Sequence, residues 1–358
     1  MLLNGILLPI ATPFYPAGDL YYKKLEHNVG RYSRTPASGM AVLGPVGEPS
    51  LLSAEERRNV LKVAIESAAP EKVMIAGTGL ESAIETLRLT EYAAALGYDA
   101  ASVSTPNAYG RQMRAANMLA FYRFVADRSP LPVLIGNAPL MTGYDIPAEV
   151  VCELARHANI IGIEEASGAV EKLRSIMEGT RGVQRAVTVT ERFEPVTRRM
   201  AAAASAAAAA GTEAGELIPA DALRAPKPSS SSSAVQAIGK LRVRQKAAGF
   251  QVLVAAAQQL LQSLQAGAVG AVAAFAAAAP TACFEIYAAF KDGDLRLAAE
   301  KQERISRAAA RIDELGIPAL KYAMDLNGYY GGNSRIPWLP VDAATKAEIE
   351  QLMSNIRS

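Results

Sequence analysis

The chain has 358 residues, of which 50% are hydrophobic and 20% are charged, and its formal net charge is +2 at pH 7. This length allows one large α/β domain or two small ones, and the balanced charge gives no electrostatic reason to expect nucleic acid or a membrane as a partner. The two cysteines, Cys152 and Cys283, make no disulfide framework, and they predict thiols buried in a cytoplasmic protein.

The first predicted element lies in an apolar segment at residues 1–14. This segment has no basic region at its start and contains Pro9 and Pro13, which favours a first strand over a signal peptide. Similar continuous apolar runs, typical of parallel strands buried on both faces, recur along the chain. The eight predicted strands are 5–11, 39–43, 73–77, 100–104, 133–136, 160–164, 250–254 and 268–273.

Helical segments fall between the predicted strands. One opens at Ser53 with Glu56 three residues later, a capping box in which side chains satisfy backbone amides of the first turn. Eight alternating units predict an α/β fold, a TIM (β/α)8 barrel over residues 1–290, followed by a C-terminal helical extension over 291–358. The other predicted helices are 82–96, 115–127, 147–156 and 170–177 in the barrel, and 295–315, 318–327 and 343–356 after it.

A low-complexity insertion, residues 190–248, interrupts this alternation of strands and helices between helix 6 and strand 7. It contains an Ala-rich run at 201–210, compatible with a helix, and a stretch rich in Pro and Ser at 225–233. Such a composition buries too little apolar surface to offset its ordering entropy, so we predict a surface insertion whose Pro/Ser stretch is mobile. We expect it on the N-terminal face of the barrel or in an oligomer contact. Residues 186–190 are compatible with a short extra strand.

Short motifs stand at the ends of the predicted strands and in one C-terminal helix, in an order and spacing that fit a barrel. They are Thr-Pro-Phe at 12–14, Gly-Pro-Val-Gly-Glu at 44–48, Gly-Thr-Gly at 77–79, Ser-Thr-Pro at 104–106, Asn-Ala-Pro-Leu-Met-Thr-Gly at 137–143, Gly-Ile-Glu-Glu-Ala-Ser-Gly at 162–168 and Ile-Pro-Ala-Leu-Lys at 317–321. Together they resemble the dihydrodipicolinate synthase / N-acetylneuraminate lyase family, which are class I aldolase barrels. The resemblance covers nearly the whole chain outside the insertion. It implies a small-molecule ligand or substrate and a homodimer or homotetramer.

The resemblance also assigns chemical positions. In the family, the position of Glu164 is a lysine that forms a Schiff base with a 2-oxo acid. Two threonines, a tyrosine and an arginine stand where this chain has Pro45, Val46, Gly136 and Met141. A carboxylate cannot form an imine, and a 2-oxo acid needs cationic or N–H donors for its own carboxylate. We therefore predict Glu164 as the catalytic residue, a general acid or base whose pKa is raised by burial.

The predicted pocket lies at the C-terminal ends of the strands. Because its walls are more apolar and a tyrosine ring is missing at Gly136, it should prefer a neutral or cationic ligand of moderate size to a small 2-oxo acid. The adjacent Glu165 should face the helices as a structural hydrogen-bond acceptor. His27 and His157 have no ligand spacing, and we predict neither a metal nor a cofactor. The predicted substrate-binding residues are Pro45, Val46, Gly47, Gly136, Asn137 and Met141.

Three functions remain open at this point. The first is a lyase-like enzyme that uses Glu164 for proton transfer, and the second is a non-catalytic ligand-binding or regulatory member of the family. The third is a pyruvate-type Schiff-base aldolase with a relocated lysine. Lys246 precedes the seventh predicted strand and should lie at the wrong end of the barrel for this role, and Lys321 falls in the C-terminal helices.

Overall fold

A computed structural model describes residues 1–213, 236–238 and 241–356. Eight parallel strands close into a barrel, in which neighbouring strands follow the order β1, β11, β10, β6, β5, β4, β3, β2. The predicted TIM barrel and all eight of its strands are confirmed. The strands are β1 Gly5–Pro9, β2 Gly39–Val42, β3 Val73–Gly77, β4 Ala100–Ser104, β5 Val133–Asn137, β6 Ile160–Glu165, β7 Arg185–Thr190, β8 Gln236–Ile238, β9 Leu241–Ala248, β10 Gln251–Val254 and β11 Gly270–Ala271.

Helices surround the barrel and form the predicted C-terminal extension. The capping box of the second helix is present, since the Ser53 hydroxyl accepts from Glu56 N and the Glu56 carboxylate accepts from Ser53 N. In the described ranges, no helix has both the length and the apolar character needed to cross a bilayer. The helices are α1 Tyr22–Ser33, α2 Ala54–Ser67, α3 Ala83–Leu96, α4 Ala115–Arg128, α5 Pro139–Thr142, α6 Ala148–Leu154, α7 Val170–Gly179, α8 Arg198–Glu213, α9 Leu260–Gln265, α10 Pro280–Lys291, α11 Leu295–Leu315, α12 Ile317–Leu326 and α13 Ala343–Met353.

Alternate residues of the barrel strands pack into two separate cores. One fills the barrel interior and includes Leu7, Ile75 and Leu134. The other, which includes Met74 and Ile135, lies between the strands and the surrounding helices. Burial on both faces explains why the strand sequences are continuously apolar. Membership of the interior core also shows which residues of a strand point inward.

The insertion carries its own antiparallel sheet outside the barrel, in the order β7, β9, β8. The extra strand compatible with residues 186–190 is present as β7, and the Ala-rich run lies in α8. The basic stretch before the seventh barrel strand forms strand β9, which pairs with β7 through residues 243–248 and with β8 through residues 241–243. The predicted mobile Pro/Ser stretch, 225–233, lies outside the described residues.

The insertion is anchored to the end of the barrel where the strands begin. The Thr197 hydroxyl donates to Pro70 O at 2.6 Å, and Arg198 N donates to Asp99 Oδ1 at 2.6 Å. The guanidinium of Arg199 donates to Ile65 O at 3.5 Å and, at shorter distances, to three carbonyls between α2 and β3. These loops enter barrel strands, so residues 197–199 lie on the N-terminal face, as the insertion was predicted to do. The carbonyls are those of Ala68 (2.7 Å), Ala69 (2.9 Å) and Lys72 (2.7 Å).

Candidate functional site

Two adjacent glutamates end strand β6, one residue beyond the predicted end. Glu164 is the register partner of Gly136 in β5 and of Leu253 in β10. Leu253 belongs to the interior core, and register partners in parallel strands point to the same side. Glu164 therefore points into the barrel at the C-terminal ends of the strands, the end that we call the barrel mouth. Glu165, the next residue, faces the helices.

The inward carboxyl is in an environment that disfavours its charge. Glu164 Oε1 is fully buried and has no hydrogen-bond partner among the described residues. Burial raises the pKa of Glu164 from its ordinary 4.5 to about 7, and a hydrogen bond with the Ser102 side chain opposes that rise. A carboxyl with a pKa near the working pH is suited to both giving and taking a proton. This is the electrostatic behaviour predicted for the residue.

Glycines surround the space between Glu164 and Ser102. Gly136 lies beside Glu164 in register, and Gly162 stands two residues before it on the same face of β6. Gly77 is the register partner of Ser102. A Cβ at Gly136 would lie 3.1 Å from the Ser104 Cα, and one at Gly162 would lie 2.2 Å from the Gln251 carbonyl oxygen. Of the two register neighbours of Glu164, Gly136 carries no side chain and Leu253 carries an apolar one.

Ser102 is the site residue that the sequence analysis misses. It is 7% exposed, lies on β4 and is the register partner of Leu134, an interior residue. The available signal was the alternation of side chains along β4, which places both Ser102 and Ser104 on the inward face. The motif comparison directs attention to residues after that strand and away from those within it.

The outward carboxylate, Glu165, is held by a network behind the barrel, as predicted for a structural acceptor. Asn137 Nδ2 donates to Glu165 Oε1 at 2.9 Å and to Asp145 Oδ1 at 2.8 Å, and Asn137 Oδ1 accepts from Ile146 N at 3.0 Å. Lys172 Nζ lies 3.2 Å from Glu165 Oε2. Asn137, a predicted substrate-binding residue, therefore has its side chain on the outer face, and we leave it out of the candidate site.

Pro45, Val46 and Gly47 form a short 3-10 turn that follows β2. Strand β2 is four strands from β6 in either direction around the barrel, so this turn lies across the mouth from Glu164. Pro45 is half-buried, while Val46 is 5% exposed and packs in the outer core. The Gly47 carbonyl accepts from the Thr12 hydroxyl at 2.6 Å. The turn thus forms an apolar section of the rim.

Met141 lies on α5, directly after β5, and 53% of its surface is exposed. The neighbouring Leu140 is 97% exposed. These side chains give the rim above β5 an apolar surface. Of the six predicted substrate-binding residues, only Gly136 is a register neighbour of Glu164, while the turn after β2 and Met141 occupy more distant parts of the rim.

The two lysines considered as relocated nucleophiles have other environments. The Lys321 side chain is fully buried, with Nζ 2.5 Å from Glu48 Oε1, and it donates to the carbonyls of Thr12 (2.8 Å) and Asn333 (2.9 Å). Burial lowers the pKa of Lys321, and the Glu48 carboxylate opposes this. Lys246 lies on β9, outside the barrel, with its ammonium 5.6 Å from the centre of the Phe193 ring. Neither lies on a barrel strand.

Solved structures similar to this chain share its whole architecture. A prophage protein of the dihydrodipicolinic acid synthase family from E. coli K12, solved in complex with pyruvate, matches with a TM-score of 0.75 and 24% identity over 99% of each chain. Dihydrodipicolinate synthase from Bacillus anthracis matches with a TM-score of 0.76 and 19% identity over 100% of each chain. At these identities the likeness establishes the fold.

Curated relatives match part of the chain. The 4-hydroxy-tetrahydrodipicolinate synthase of Methanosarcina mazei is 34% identical over 178 residues, which are 49% of this chain and 60% of the relative. That of Coxiella burnetii (strain RSA 493) is 28% identical over 173 residues, 48% of this chain and 59% of the relative. The chain thus spans about 60% of the length of the curated relatives that it matches.

The match to a family extends much further than these pairwise alignments. Residues 2–188 and 231–356 match the dihydrodipicolinate synthetase family. The unmatched stretch between them falls almost entirely within the insertion predicted at 190–248. Because the matched residues include every strand of the barrel and the C-terminal helices, the chain belongs to the dihydrodipicolinate synthetase family.

Proposed function

We propose that this protein is a lyase-like enzyme of its family in which Glu164 transfers protons as a general acid or base. The observation that carries the proposal is the Glu164 carboxyl itself. It points into the barrel, its Oε1 is buried without a partner among the described residues, and its pKa is raised to about 7. By sequence resemblance, this is the position of the family's imine-forming lysine. The synthase activity printed for the relatives remains a property of those proteins.

The environment of Glu164 suits proton transfer better than imine chemistry. With a pKa near 7, the carboxyl is present in both protonation states at neutral pH, so it can accept a proton from a ligand or donate one. An imine needs a nucleophilic amine, which a carboxyl cannot supply. The buried ion pair of Lys321 with Glu48, and the position of Lys246 outside the barrel, argue against a relocated lysine.

The ligand that we propose is neutral or cationic and of moderate size. A charged Glu164 would repel a ligand carboxylate, whereas its unpartnered Oε1 can accept a hydrogen bond from a hydroxyl or an amine. Pro45, Val46 and Met141 add no charged donor to the rim. The proposed size follows from Gly136, the register neighbour of Glu164, which carries no aromatic ring.

A second candidate is a ligand-binding or regulatory member of the family without catalytic activity. The observation that favours it is the scarcity of polar groups near Glu164, since in the described residues only burial and the Ser102 side chain affect the pKa of its carboxyl. General acid–base catalysis ordinarily combines proton transfer with groups that stabilise developing charge. A site with one carboxyl and one hydroxyl is sufficient for binding.

Ligand screening followed by hydrogen exchange separates the two candidates. Neutral, cationic and 2-oxo acid compounds are screened by thermal shift, because a ligand at 100 times its dissociation constant stabilises the fold by about 2.7 kcal/mol. Each stabilising compound is then incubated with the protein in D2O, and loss of carbon-bound hydrogen is followed by proton NMR. The enzyme proposal predicts exchange that is lost in Glu164→Gln and kept in Glu91→Gln, a control at an exposed position of α3.

Each other outcome has a definite meaning. Binding without exchange, or exchange that persists in Glu164→Gln, rejects the catalytic role and favours the ligand-binding protein. Stabilisation by pyruvate and related 2-oxo acids alone would show that our account of the pocket is wrong. Both variants replace one carboxyl with a neutral amide of the same shape, so the comparison isolates the position of the group.

A further inference from the structure

The rim of the barrel mouth above β5 is a loop, residues 138–145, that carries α5 and the exposed side chain of Met141. We call this segment the rim loop. We propose that Lys172 is a positioning residue of the mouth: its ammonium pairs with Asp145 and Glu165 and thereby fixes the rim loop, and Met141 with it, against β6. The inference rests on the proposed function, in which Met141 borders the ligand, and deepens it by naming what holds this part of the rim.

The rim loop is an internally bonded unit. Met141 N and Thr142 N both donate to the Ala138 carbonyl, at 2.9 and 3.0 Å, and the Thr142 hydroxyl donates to the same oxygen at 3.2 Å. Gly143 has a φ of +67°, a left-handed conformation that ends α5 and that glycine adopts readily. The tip of the loop, at Leu140 and Met141, is exposed. The position of the tip therefore depends on how the ends of the loop are attached.

One buried amide joins the two ends of the rim loop. Asn137 immediately precedes the loop and is 1% exposed, and its Nδ2 donates at 2.8 Å to Oδ1 of Asp145, at the far end. The Asn137 Oδ1 accepts from Ile146 N at 3.0 Å. The same Nδ2 also donates to Glu165 Oε1 at 2.9 Å and to Oε2 at 3.0 Å. The loop is therefore closed on Asn137, and this closure point also contacts the outward carboxylate of β6.

Lys172, on the first turn of α7, bridges the two carboxylates at the closure point. Its Nζ pairs with Asp145 Oδ1 and lies 3.2 Å from Glu165 Oε2. The Lys172 side chain is 11% exposed and that of Glu165 is 3% exposed, so solvent screens this pair much less than it screens a surface pair. The Asp145 side chain is 49% exposed, so it is the partner that can turn into solvent. Lys172 therefore joins the end of the rim loop to a buried group of β6.

The charges explain why this lysine matters for the loop. The carboxylates of Asp145 and Glu165 approach the same nitrogen, Asn137 Nδ2, and like charges so close together repel each other. The ammonium between them offsets this repulsion. Without it, we expect Asp145 to turn into solvent, while Glu165 stays with Asn137 and with Ser167 N, which donates to its Oε1 at 2.7 Å. The end of the rim loop would then be released while β6 keeps its place.

Exchange of backbone amide hydrogens, followed by NMR without any ligand, tests the proposal. The reporter is the Ile146 amide, which donates to Asn137 Oδ1. Lys172→Met removes charged contacts of the closure point and should speed this exchange by about tenfold or more. Lys172→Arg keeps the charge and should exchange as the wild type does. Arg174→Met, a matched change on α7 at an exposed ion pair with Glu171, should leave the rate unchanged.

A double variant separates the charge of Lys172 from its packing. Lys172→Met combined with Asp145→Asn removes the repulsion and keeps an acceptor for Asn137 Nδ2. It should therefore return Ile146 exchange most of the way to the wild-type rate. The amides of β2, which lies four strands from β6 around the barrel, should exchange at the wild-type rate in every variant.

The position of Met141 is followed in the same variants. Protein labelled with carbon-13 at the methionine methyls is used, and the Met141 signal is assigned by its loss in Met141→Leu. This signal should shift in Lys172→Met, return in the double variant with Asp145→Asn, and stay unchanged in Arg174→Met.

Four results overturn the proposal. They are unchanged Ile146 exchange in Lys172→Met, an unmoved Met141 signal in that variant, an equal acceleration in β2, and a double variant that exchanges as fast as Lys172→Met. The third would show that Lys172 stabilises only the fold as a whole, and the fourth that charge is not the cause. If Lys172→Met does not fold, the neutral variant Lys172→Gln replaces it, with the same expected direction. Because no ligand is present, these results are independent of the exchange of carbon-bound hydrogen that decides the proposed function.

Discussion

Glu164 and Glu165 are chemically identical neighbours whose environments differ because successive side chains of a strand point in opposite directions. Glu165 accepts hydrogen bonds from Asn137 and Ser167 N and pairs with Lys172, so both of its oxygens have partners within the protein. Glu164 is partly buried and forms no ion pair in the described residues, and burial raises its pKa. One carboxylate therefore supports the fold, and we propose that the other transfers protons.

The raised pKa of Glu164 predicts a specific dependence of stability on pH. The folded protein holds this proton up to about pH 7, whereas the unfolded chain releases it near pH 4.5. The contribution to stability is therefore fully present below pH 4.5 and is lost as the pH rises through 7. A shift of about 2.5 units corresponds to about 3 kcal/mol. Glu164→Gln, which cannot titrate, should therefore become more stable relative to the wild type as the pH increases.

Urea unfolding at pH 4.5, 6 and 8 measures this effect. The difference in unfolding free energy, Glu164→Gln minus wild type, should increase by about 3 kcal/mol across the range. Glu91→Gln, with its exposed side chain, should show a constant difference. A constant difference for Glu164→Gln as well would show that the carboxyl titrates normally, and the proposed acid–base role would lose its physical basis.

Single residues of the site were predictable from the sequence where the alternation of side chains along a strand decides which way each side chain points. Alternation placed Glu164 inward and Glu165 outward, and the structure agrees. The same rule explains the error at Asn137. Strand β5 continues to Asn137, so the inward Gly136 requires its neighbour to point outward, whereas the prediction treated Asn137 as part of a loop at the mouth.

Among the helices and strands, those of the insertion are predicted only in part by local sequence. The short strand β7 and the helix in the Ala-rich run are compatible with local composition. Strand β9 is not recognisable in this way, because its side chains alternate between basic and apolar only in part. It forms because β7, some fifty residues earlier in the chain, offers an antiparallel partner over its whole length. A pairing between two segments so far apart in the chain is hard to recognise from the sequence of either segment alone.

The attachment of the insertion depends on Arg199. We therefore expect substitutions of Arg199 and of its neighbour Arg198 to have different effects on stability. Arg199 donates to carbonyls at the end of α2 and before β3, while the Arg198 side chain is exposed and only its backbone bonds Asp99. Removing a charged donor from such carbonyls costs about 2 kcal/mol. Arg199→Ala should therefore lower the urea midpoint clearly, and Arg198→Ala should change it little.

The measurement is equilibrium unfolding of both variants at one pH, with the slope of the transition compared to that of the wild type. An unchanged slope with a lower midpoint shows that stability was lost without a change in the unfolded state. Equal midpoints for Arg199→Ala and the wild type would mean that the insertion contributes no stability through this contact. In that case the hydrogen bonds of Arg199 to the N-terminal face do not stabilise the fold.

At the scale of the whole molecule, the barrel and the site follow from different kinds of information. Apolar runs, their spacing and the capping box specify the barrel and its helical extension, because burial on both faces of parallel strands forces that pattern. The function does not follow from the fold, since one barrel supports many chemistries. Here the proposed function depends on one inward side chain, Glu164, and on the groups around it.

The most direct test of the central claim is a search for an imine. The protein is treated with borohydride in the presence of pyruvate, and its intact mass is measured. Our account predicts no added mass, because Glu164 has no amine and Lys321, one of the two lysines considered, is fully buried in an ion pair with Glu48. A stoichiometric gain of one reduced pyruvate would show that a lysine carries the chemistry, and the assignment of catalysis to Glu164 would be wrong.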